Sequence, residues 1–429
     1  SPVVLRATRT LAESAPSMIE RLIERAALER PAAQMLADRV ASWFVLLLLA
    51  AAVAVFASWW WLEPARALPI AITVLVVSCP CALSLATPAA IAAATGAVTR
   101  QGVLVTSGRA LETAARCTDV VFDKTGTLTE GRPRLVEVDL FGGTGRERAL
   151  ALAAALESGA THPLAAALRA ARGAEAATGA VALDIRHAPG EGVEARVDGV
   201  ALRLGSAGFA GQWADLPHAR APAGSQAWLV ARGRALARFE LRDALRVDAR
   251  ATIDALGTLG LRVHLLSGDH PSVVARLAAQ LGIDRASGGA TPSGKVEHLR
   301  AMQREGAVVM MVGDGVNDAP VLAAADVSVA VGDASALART AADTVLLSPR
   351  LDRLVMLVEG ARRTRRVIGQ NLAWAGAYNA VAIPAAALGW VAPWVAALGM
   401  SASSLLVAAN ALRLLGPGAR GGAGGPWKR

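Results

Sequence analysis

The sequence predicts a mixed fold class, membrane α-helical plus α/β, in which two transmembrane helix hairpins flank a soluble insert. The chain of 429 residues is 54% hydrophobic, and its mean hydropathy of +0.41 is high for a soluble protein of this length. Four apolar stretches account for this excess, and each is close to the ~20 residues that a helix needs to cross a bilayer. Between the second and third stretches, strand-like and helix-like segments alternate, as they do in an α/β domain.

The apolar stretches lie in pairs towards the two ends of the chain. They cover approximately residues 41–62, 68–94, 372–390 and 393–414. Tryptophans such as Trp61, Trp390 and Trp394 mark one end of the stretches, as in an interfacial aromatic belt. Arginines crowd the opposite ends, for example at Arg100 and Arg366. The positive-inside rule therefore predicts that the insert is cytoplasmic.

Charge and cysteine content exclude two classes of protein. The formal net charge is +9, but the basic residues form no patch with interleaved aromatics, so no nucleic-acid partner is predicted. Three cysteines are too few for a disulfide framework. Of these, Cys117 stands alone before a predicted strand and is interpreted as a small buried hydrophobe.

The insert contains strand candidates at residues 119–122, 263–266 and 308–312, each followed by a turn rich in Gly, Asp or Ser. Between residues 131 and 240 the pattern changes to Ala-rich helical segments followed by short alternating runs. The motifs of the first domain resume only after this region. We therefore expect a second domain inserted into the first.

The heptad from Asp123 to Thr129 is the most informative motif. It follows an apolar run that predicts a buried strand, so Asp123 should emerge where a sheet delivers side chains into a crevice. An aspartate placed in this way can act as a nucleophile towards a phosphoryl group. Lys124 adds a positive charge, and the turn from Thr125 to Thr127 offers hydroxyl and N–H groups to a phosphate.

Three further segments supply complementary chemistry. Ser267, Gly268 and Asp269 follow the second strand candidate and offer a hydroxyl and N–H groups to phosphate oxygens. Lys295 can neutralise phosphate charge from a separate element. The segment from Gly313 to Asp318 carries acids suited to Mg²⁺, which prefers hard oxygen ligands.

Together, in this order, these motifs resemble the haloacid-dehalogenase-like core of the P-type ATPases, ion pumps that pass through an aspartyl-phosphate. The resemblance implies that Asp123 is the phospho-acceptor. Lys124, Thr125, Ser267, Gly268, Asp269, Lys295 and Asn317 would complete the catalytic set. Asp123, the Thr125 carbonyl, Asp314 and Asp318 would surround Mg²⁺. Ser267 stands where the family more often has threonine, which preserves the hydroxyl.

The inserted region carries Glu157, His162-Pro163, Gly190 and Gly192. Alone, a His-Pro pair is typical of a helix start and a Gly-x-Gly of a turn. Their joint appearance resembles the nucleotide-binding domain of heavy-metal P-type ATPases. The resemblance implies that Glu157 and His162 contact the adenine region and that the two glycines let the backbone approach ATP.

A Cys79-Pro80-Cys81 motif lies within the second apolar stretch. Proline breaks the helical hydrogen bonding, and the two thiols offer soft ligands that select Cu(I) or Zn²⁺. With Tyr378-Asn379 and Met400-x-x-Ser403-Ser404, the motif resembles the signature of copper(I)-transporting P-type ATPases. Zinc- and cadmium-exporting relatives bring an Asp and a Lys on the last helices, and residues 371–414 contain neither. Silver(I), equally soft, remains an alternative.

No Thr-Gly-Glu sequence, the signature of the family's actuator domain, occurs in the chain. The resemblance therefore implies the carboxy-terminal portion of a pump without that domain. The predicted boundaries are an actuator-to-membrane linker (1–40), a transmembrane hairpin (41–94), the first segment of a phosphorylation domain (95–130), a nucleotide-binding domain (131–240), the second segment of the phosphorylation domain (241–366), a second hairpin (367–415) and a cytoplasmic tail (416–429).

The resulting expectation is ATP-driven export of copper(I) through an aspartyl-phosphate, with ATP and Mg²⁺ as cofactors. The expected partners are the lipid bilayer and a copper chaperone that delivers the ion. The expected location is the bacterial inner (plasma) membrane, with the catalytic domains cytoplasmic. Three alternatives stay open: a nucleotide- or metal-binding fragment without pump turnover, a zinc/cadmium-class pump, and a membrane-tethered phosphatase.

Overall fold

The computed structural model describes residues 32–78, 81–158, 160, 163–172, 180–188, 191–217, 225–314, 318–331 and 342–416. These residues form two compact units. The first contains the helices near both ends of the described chain together with three short strands. The second runs from Asp119 to Ala325 and contains four parallel strands and a six-stranded antiparallel sheet.

The helices and strands are numbered in chain order over the described residues. The helices are α1 (Ala32–Leu62), α2 (Pro64–Val77), α3 (Cys81–Arg100), α4 (Ala110–Ala114), α5 (Arg146–Leu156), α6 (Pro163–Arg172), α7 (Ala207–Gly211), α8 (Ala249–Thr258), α9 (Pro271–Leu281), α10 (Pro292–Arg304), α11 (Ala319–Ala324), α12 (Asp352–Ala387) and α13 (Pro393–Leu412). The strands are β1 (Val103–Val105), β2 (Asp119–Asp123), β3 (Arg134–Leu140), β4 (Ala182–Ala188), β5 (Gly192–Val197), β6 (Val200–Gly205), β7 (Ser225–Ala231), β8 (Arg234–Arg242), β9 (Arg262–Leu266), β10 (Arg285–Ser287), β11 (Val309–Gly313), β12 (Val327–Ala330) and β13 (Thr344–Leu346).

In the first unit, α2, α12 and α13 pack around a small apolar core that includes Val74, Ala386 and Ala396. A second cluster joins α3, α12 and α13 through Ala86 and Val407. Small residues at these contacts allow helix backbones to approach closely, as is typical of helix packing in membranes. The short strands β1 and β13 pair antiparallel, and β12 pairs parallel with β13.

The predicted membrane spans correspond to helices in different ways. In the described portion of the chain, one helix, α13, is long and apolar enough to cross a membrane. The first stretch lies in α1, whose apolar portion is Leu46–Leu62. The second is not a single helix but is divided between α2 and α3. Pro80, which lacks a backbone N–H donor, lies between them in the sequence but outside the described residues. The third is the carboxy-terminal portion of the longer helix α12.

In the second unit, β11, β2, β9 and β10 lie side by side in that order and run parallel. Every residue of β2 is buried, as expected for a parallel strand covered on both faces. The register pairs Asp123 with Leu266, so the turns after β2 and β9 meet at one edge of the sheet. β2, β9 and β11 differ from the predicted strands only at their ends.

The other sheet of this unit is antiparallel, with strand order β3-β8-β7-β6-β5-β4. Helices α5 and α6 cover one face, where Leu156 and Leu168 pack against Phe239 in an apolar core. Alternating burial along β5 matches the sequence pattern that predicted this strand. The domain boundaries given above stay predictions.

A buried aspartate, Asp119, lies at the start of β2. Asp119 is 1% exposed, and it accepts hydrogen bonds from the Arg262 guanidinium at 2.6 Å and from His264 Nε2 at 2.8 Å. Burial lowers the pKa of His264, although the Asp119 carboxylate opposes the shift. The neutral imidazole is therefore the form that this fold favours.

Candidate active site

Asp123 is the last residue of β2, and its carboxylate is held by two donors. Oδ2 accepts a hydrogen bond from the backbone N–H of Thr125 at 2.9 Å, and Oδ1 accepts one from Lys295 Nζ at 2.5 Å. The turn that follows, residues 124–129, is called the phosphorylation turn below. It depends on Gly126, which has a positive φ of 71°. The strand end and this turn together fix the carboxylate at the sheet edge.

Lys295 bridges two acids. Its ammonium also donates to Asp318 Oδ1 at 2.8 Å, and all three side chains are more than 90% buried. The start of α10 positions Lys295, because the Thr291 hydroxyl caps the helix by accepting from the N–H of Gly294 at 3.1 Å. A lysine so placed neutralises charge between the two carboxylates.

The electrostatics of Asp123 are strongly perturbed. The pKa of Asp123 is raised to about 7, first by burial and then by the carboxylate of Asp318, while Lys295 opposes the shift. Burial by itself would lower the pKa of Lys295, but the carboxylates of Asp123 and Asp318 raise it above its ordinary value. A buried acid with a shifted pKa beside a fixed cation is typical of a functional site.

Lys124 turns away from Asp123 and forms an ion pair with Asp269. Asp269 follows β9, and its backbone N–H donates to the hydroxyl of Ser267 at 3.2 Å. Gly268 lies between them, and a Cβ on it would make only ordinary contact with the Ala290 carbonyl. The structure thus brings the turn after β9 next to the turn after β2, as the sequence predicted, without testing its role in phosphate binding.

The candidate magnesium ligands fit only in part. Asp314 follows β11, and a Cβ on Gly126 would lie 2.5 Å from its Oδ2 atom, so the glycine makes room for this carboxylate. Asp123, the Thr125 carbonyl and Asp314 are hard oxygen donors, as Mg²⁺ requires. Asp318 is instead engaged by Lys295. Within the described ranges no group of three His, Cys, Asp or Glu side chains is arranged to hold a metal ion, and Asn317 lies outside them.

Two residues that the sequence analysis missed hold the phosphorylation turn and the residues just after it. Arg246 donates from Nε to the Thr127 carbonyl and from Nη2 to the Gly126 carbonyl, both at 2.8 Å. Asp243 accepts from the backbone N–H groups of Gly131 and Arg132, both at 3.0 Å. In the sequence, these two residues are visible only as an Asp and an Arg three positions apart, directly after the inserted region. Such a pair cannot be distinguished from ordinary surface charge by sequence alone.

A cavity of about 290 Å³ opens beside Lys124. Arg242, Asp243, Arg276 and Gln280 supply polar groups to its lining, and apolar residues of β8 and α9 complete it. It therefore lies where the antiparallel sheet and the parallel sheet of the second unit approach each other. Its size is at the lower end of the range for small-molecule sites.

The predicted nucleotide residues are described only in part. Glu157 ends α5 and is 3% exposed, with its carbonyl accepting from Arg169 at 2.6 Å. Gly192 begins β5, and a Cβ there would collide with the Leu204 carbonyl of the neighbouring strand. Close strand approach therefore requires this glycine, independently of any ligand. His162 and Gly190 lie outside the described residues.

The candidate metal-path residues of the last two helices lie against each other. The indole N–H of Trp374 on α12 donates to the Ser403 hydroxyl on α13 at 3.1 Å. One turn further along α12, the Tyr378 hydroxyl lies against Gly399, since a Cβ there would be 2.8 Å from it. Asn379 donates to the Ala375 carbonyl at 3.0 Å.

Met400 and Ser404 are both partly buried on α13. Cys79 lies outside the described residues, and Cys81 begins α3 without a described side chain. The structure therefore brings the Tyr-Asn pair and the Met-Ser-Ser segment to one helix contact. It does not test their relation to the cysteines.

The candidate site thus has an aspartate at the end of a parallel strand, bridged through a lysine to a second acid. Consistently, residues 120–326 match the family model of the haloacid dehalogenase-like hydrolases. The curated relatives are longer proteins. "Nitrogen fixation protein FixI" of Rhizobium leguminosarum bv. viciae is 42% identical over 97% of this chain and 54% of its own length. "Probable copper-exporting P-type ATPase V" of Mycobacterium tuberculosis H37Rv is 40% identical over 96% of this chain and 55% of its own length.

The crystal structure of a zinc-transporting PIB-type ATPase in the E2.Pi state is also similar. The match covers 95% of this chain and 68% of the other chain, with 33% sequence identity and a TM-score of 0.68. The chain therefore belongs to the P-type ATPases of the PIB class. It spans about half the length of the curated relatives named above.

Proposed function

We propose that the protein is an ATP-driven copper(I) exporter that forms an aspartyl-phosphate on Asp123. The observation that carries the proposal is the contact of Lys295 with both Asp123 and Asp318 at the end of a parallel strand. Membership in the PIB class supports it, as does the similarity to relatives named as copper-exporting ATPases. The bilayer and the bacterial inner membrane belong to the same proposal.

The chemistry proceeds by in-line displacement at the γ-phosphorus of ATP. A carboxylate oxygen of Asp123 forms the new P–O bond, the bond to the β-phosphate oxygen breaks, and ADP leaves with that electron pair. Lys295 limits the rise in the pKa of Asp123 that burial causes, and it offsets charge on the transferred group. Asp123, the Thr125 carbonyl and Asp314 would hold Mg²⁺, which supplies electrostatic stabilisation of phosphate oxygens.

Nucleotide binding is proposed for the inserted antiparallel sheet, near Glu157 and His162. The cavity beside Lys124 lies between this sheet and the phosphorylation turn, so it offers a route for the phosphate chain. Lys124, now paired with Asp269, can exchange that partner for a phosphate oxygen. Delivery of the metal by a copper chaperone is a further element of the proposal.

The phosphoryl-transfer step is tested with radiolabelled ATP and an acid quench. Wild-type full-length protein should form a hydroxylamine-sensitive phosphoenzyme, and Asp123→Asn should form none. Asp254→Asn, on the exposed face of α8, is the matched control and should behave as wild type. Label retained in Asp123→Asn would contradict the assignment of the acceptor.

Copper(I) specificity rests on soft donors and on the absence of Asp and Lys between residues 371 and 414. Phosphorylation should therefore require Cu(I) or Ag(I) under reducing conditions and should not respond to Zn²⁺. Cys79→Ser and Met400→Ala should abolish this response, whereas Met356→Ala, on an exposed portion of α12, should retain it. Stimulation by Zn²⁺ alone would favour the zinc class, and the solved structure that this chain resembles is that of a zinc-transporting ATPase.

A further inference from the structure

A cavity of about 370 Å³ lies in the first unit. Helices α3, α4 and α12 enclose it. Its floor is formed by Leu111, Ala361 and Thr364, each no more than 3% exposed, and Ile91 and Ile368 contribute partly buried apolar walls. Its volume is within the range of sites that bind small organic ligands.

The rim of this cavity is charged. Arg116 and Arg365 line it and are both exposed, and Glu112 is the acid among the lining residues. Neither guanidinium has an ion-pair partner within the portion of the chain that the structure describes. Two arginines against one acid leave the rim with a net positive charge above an apolar interior. This combination suits an amphipathic anion whose polar group stays at the mouth.

The position along α12 indicates the source of such a ligand. Arg365 precedes Leu372, the start of the third apolar stretch, by seven residues, which is about 10 Å along a helix. The polar headgroup layer extends roughly 5–8 Å beyond the hydrocarbon core on each side. An arginine side chain can span the remaining distance towards that layer. With the membrane placement of the proposed function, we therefore expect the cavity mouth at the level of lipid phosphates.

We propose that this cavity binds one phospholipid, with its phosphodiester between Arg116 and Arg365 and the beginning of an acyl chain against Ile91 and Ile368. Arginine forks are well matched to phosphate oxygens. The apolar walls favour a lipid over a soluble phosphate, because only the lipid has an acyl chain to bury against them. The proposal rests on the membrane placement in the proposed function, but not on phosphorylation of Asp123.

The test uses detergent-purified full-length protein, titrated with dioleoyl phosphatidylglycerol and observed by native mass spectrometry. The cavity variant is Arg116→Gln/Arg365→Gln. The matched control is Arg109→Gln/Arg366→Gln, which makes the same charge change at neighbouring positions outside the cavity. For the tightest-bound lipid, we expect the dissociation constant of the cavity variant to be about tenfold higher than that of the wild type, or more. The dissociation constant of the control variant should equal that of the wild type.

Equal weakening in both variants, or in neither, would overturn the proposal, because binding would then reflect overall charge or another surface. Displacement of that lipid by glycerol 3-phosphate at equal concentration would also overturn it, since a free phosphate would suffice. The Asp123→Asn variant separates the two hypotheses. It should retain the lipid whether or not the wild type forms a phosphoenzyme.

Discussion

Replacing Arg246 with alanine removes the side chain that holds the phosphorylation turn. Its guanidinium donates to the carbonyls of Gly126 and Thr127, each at 2.8 Å. These residues follow Asp123 closely, so their backbone sets the direction of the carboxylate. After the substitution the turn keeps other ties, including the bridge between Thr129 and Leu245. We therefore expect a misplaced turn rather than an unfolded unit.

The size of the effect follows from the two hydrogen bonds. A bond from a charged donor contributes about 1.5–3 kcal/mol, so two of them set an upper range of about 3–6 kcal/mol. Arg246 is only half-buried, and water can replace some of each contact. We expect about 2–3 kcal/mol to be lost, which corresponds to a roughly 30- to 150-fold slower phosphorylation of Asp123.

The assay is the rate of phosphoenzyme formation from ATP, measured by acid quench alongside the thermal unfolding midpoint. Arg246→Lys should recover only a fraction of the rate, because an ammonium cannot reproduce the two-pronged geometry of a guanidinium. Arg250→Ala is the control, since Arg250 is exposed on α8 and pairs with Asp254 at the surface. A rate for Arg246→Ala close to that of wild type, with an intact fold, would refute the reasoning.

Three further predictions concern separate regions of the second unit. Lys295→Met leaves the carboxylates of Asp123 and Asp318 buried without their shared cation, so phosphoenzyme should fall below detection; a normal level would contradict the electrostatic role. The pKa of His264 is lowered in the fold from its ordinary 6.5, so the unfolded chain takes up the proton first and stability should fall as pH drops from about 7.5 to about 5.5. In His264→Gln this decline should be smaller by thermal unfolding, and an unchanged slope would assign it to other groups. Gly192→Val should unfold the antiparallel sheet, because its side chain would collide with the neighbouring strand; a wild-type unfolding midpoint would exclude that close approach.

Local sequence patterns were sufficient for much of the fold. The apolar run before Asp123 predicted β2, since a strand buried on both faces must be continuously hydrophobic. The alternating pattern of β5 predicted a half-buried strand for the same kind of reason. The second apolar stretch was predicted as one membrane helix kinked at Pro80, and the structure divides it into α2 and α3, which end and begin on either side of that proline.

The sequence by itself determined which chemical groups stand together in the phosphorylation turn. The order Asp, Lys, Thr, Gly, Thr places a carboxylate, a cation and a tight turn within a few residues, and such short-range geometry depends only on local backbone preferences. It also determined the soft character of the candidate metal ligands, because thiol and thioether groups keep their chemistry in any fold.

Only the tertiary structure decided which distant groups meet Asp123. Lys295 is 172 residues away in the chain. Arg246 comes after all six strands of the antiparallel sheet in the sequence, yet it contacts the turn that directly follows Asp123. The structure also paired Lys124 with Asp269 instead of Asp123. No periodicity in the sequence encodes such contacts, because they depend on how the strands order themselves in the sheet. That order, β11-β2-β9-β10, brings the strand ends and their charges to one edge.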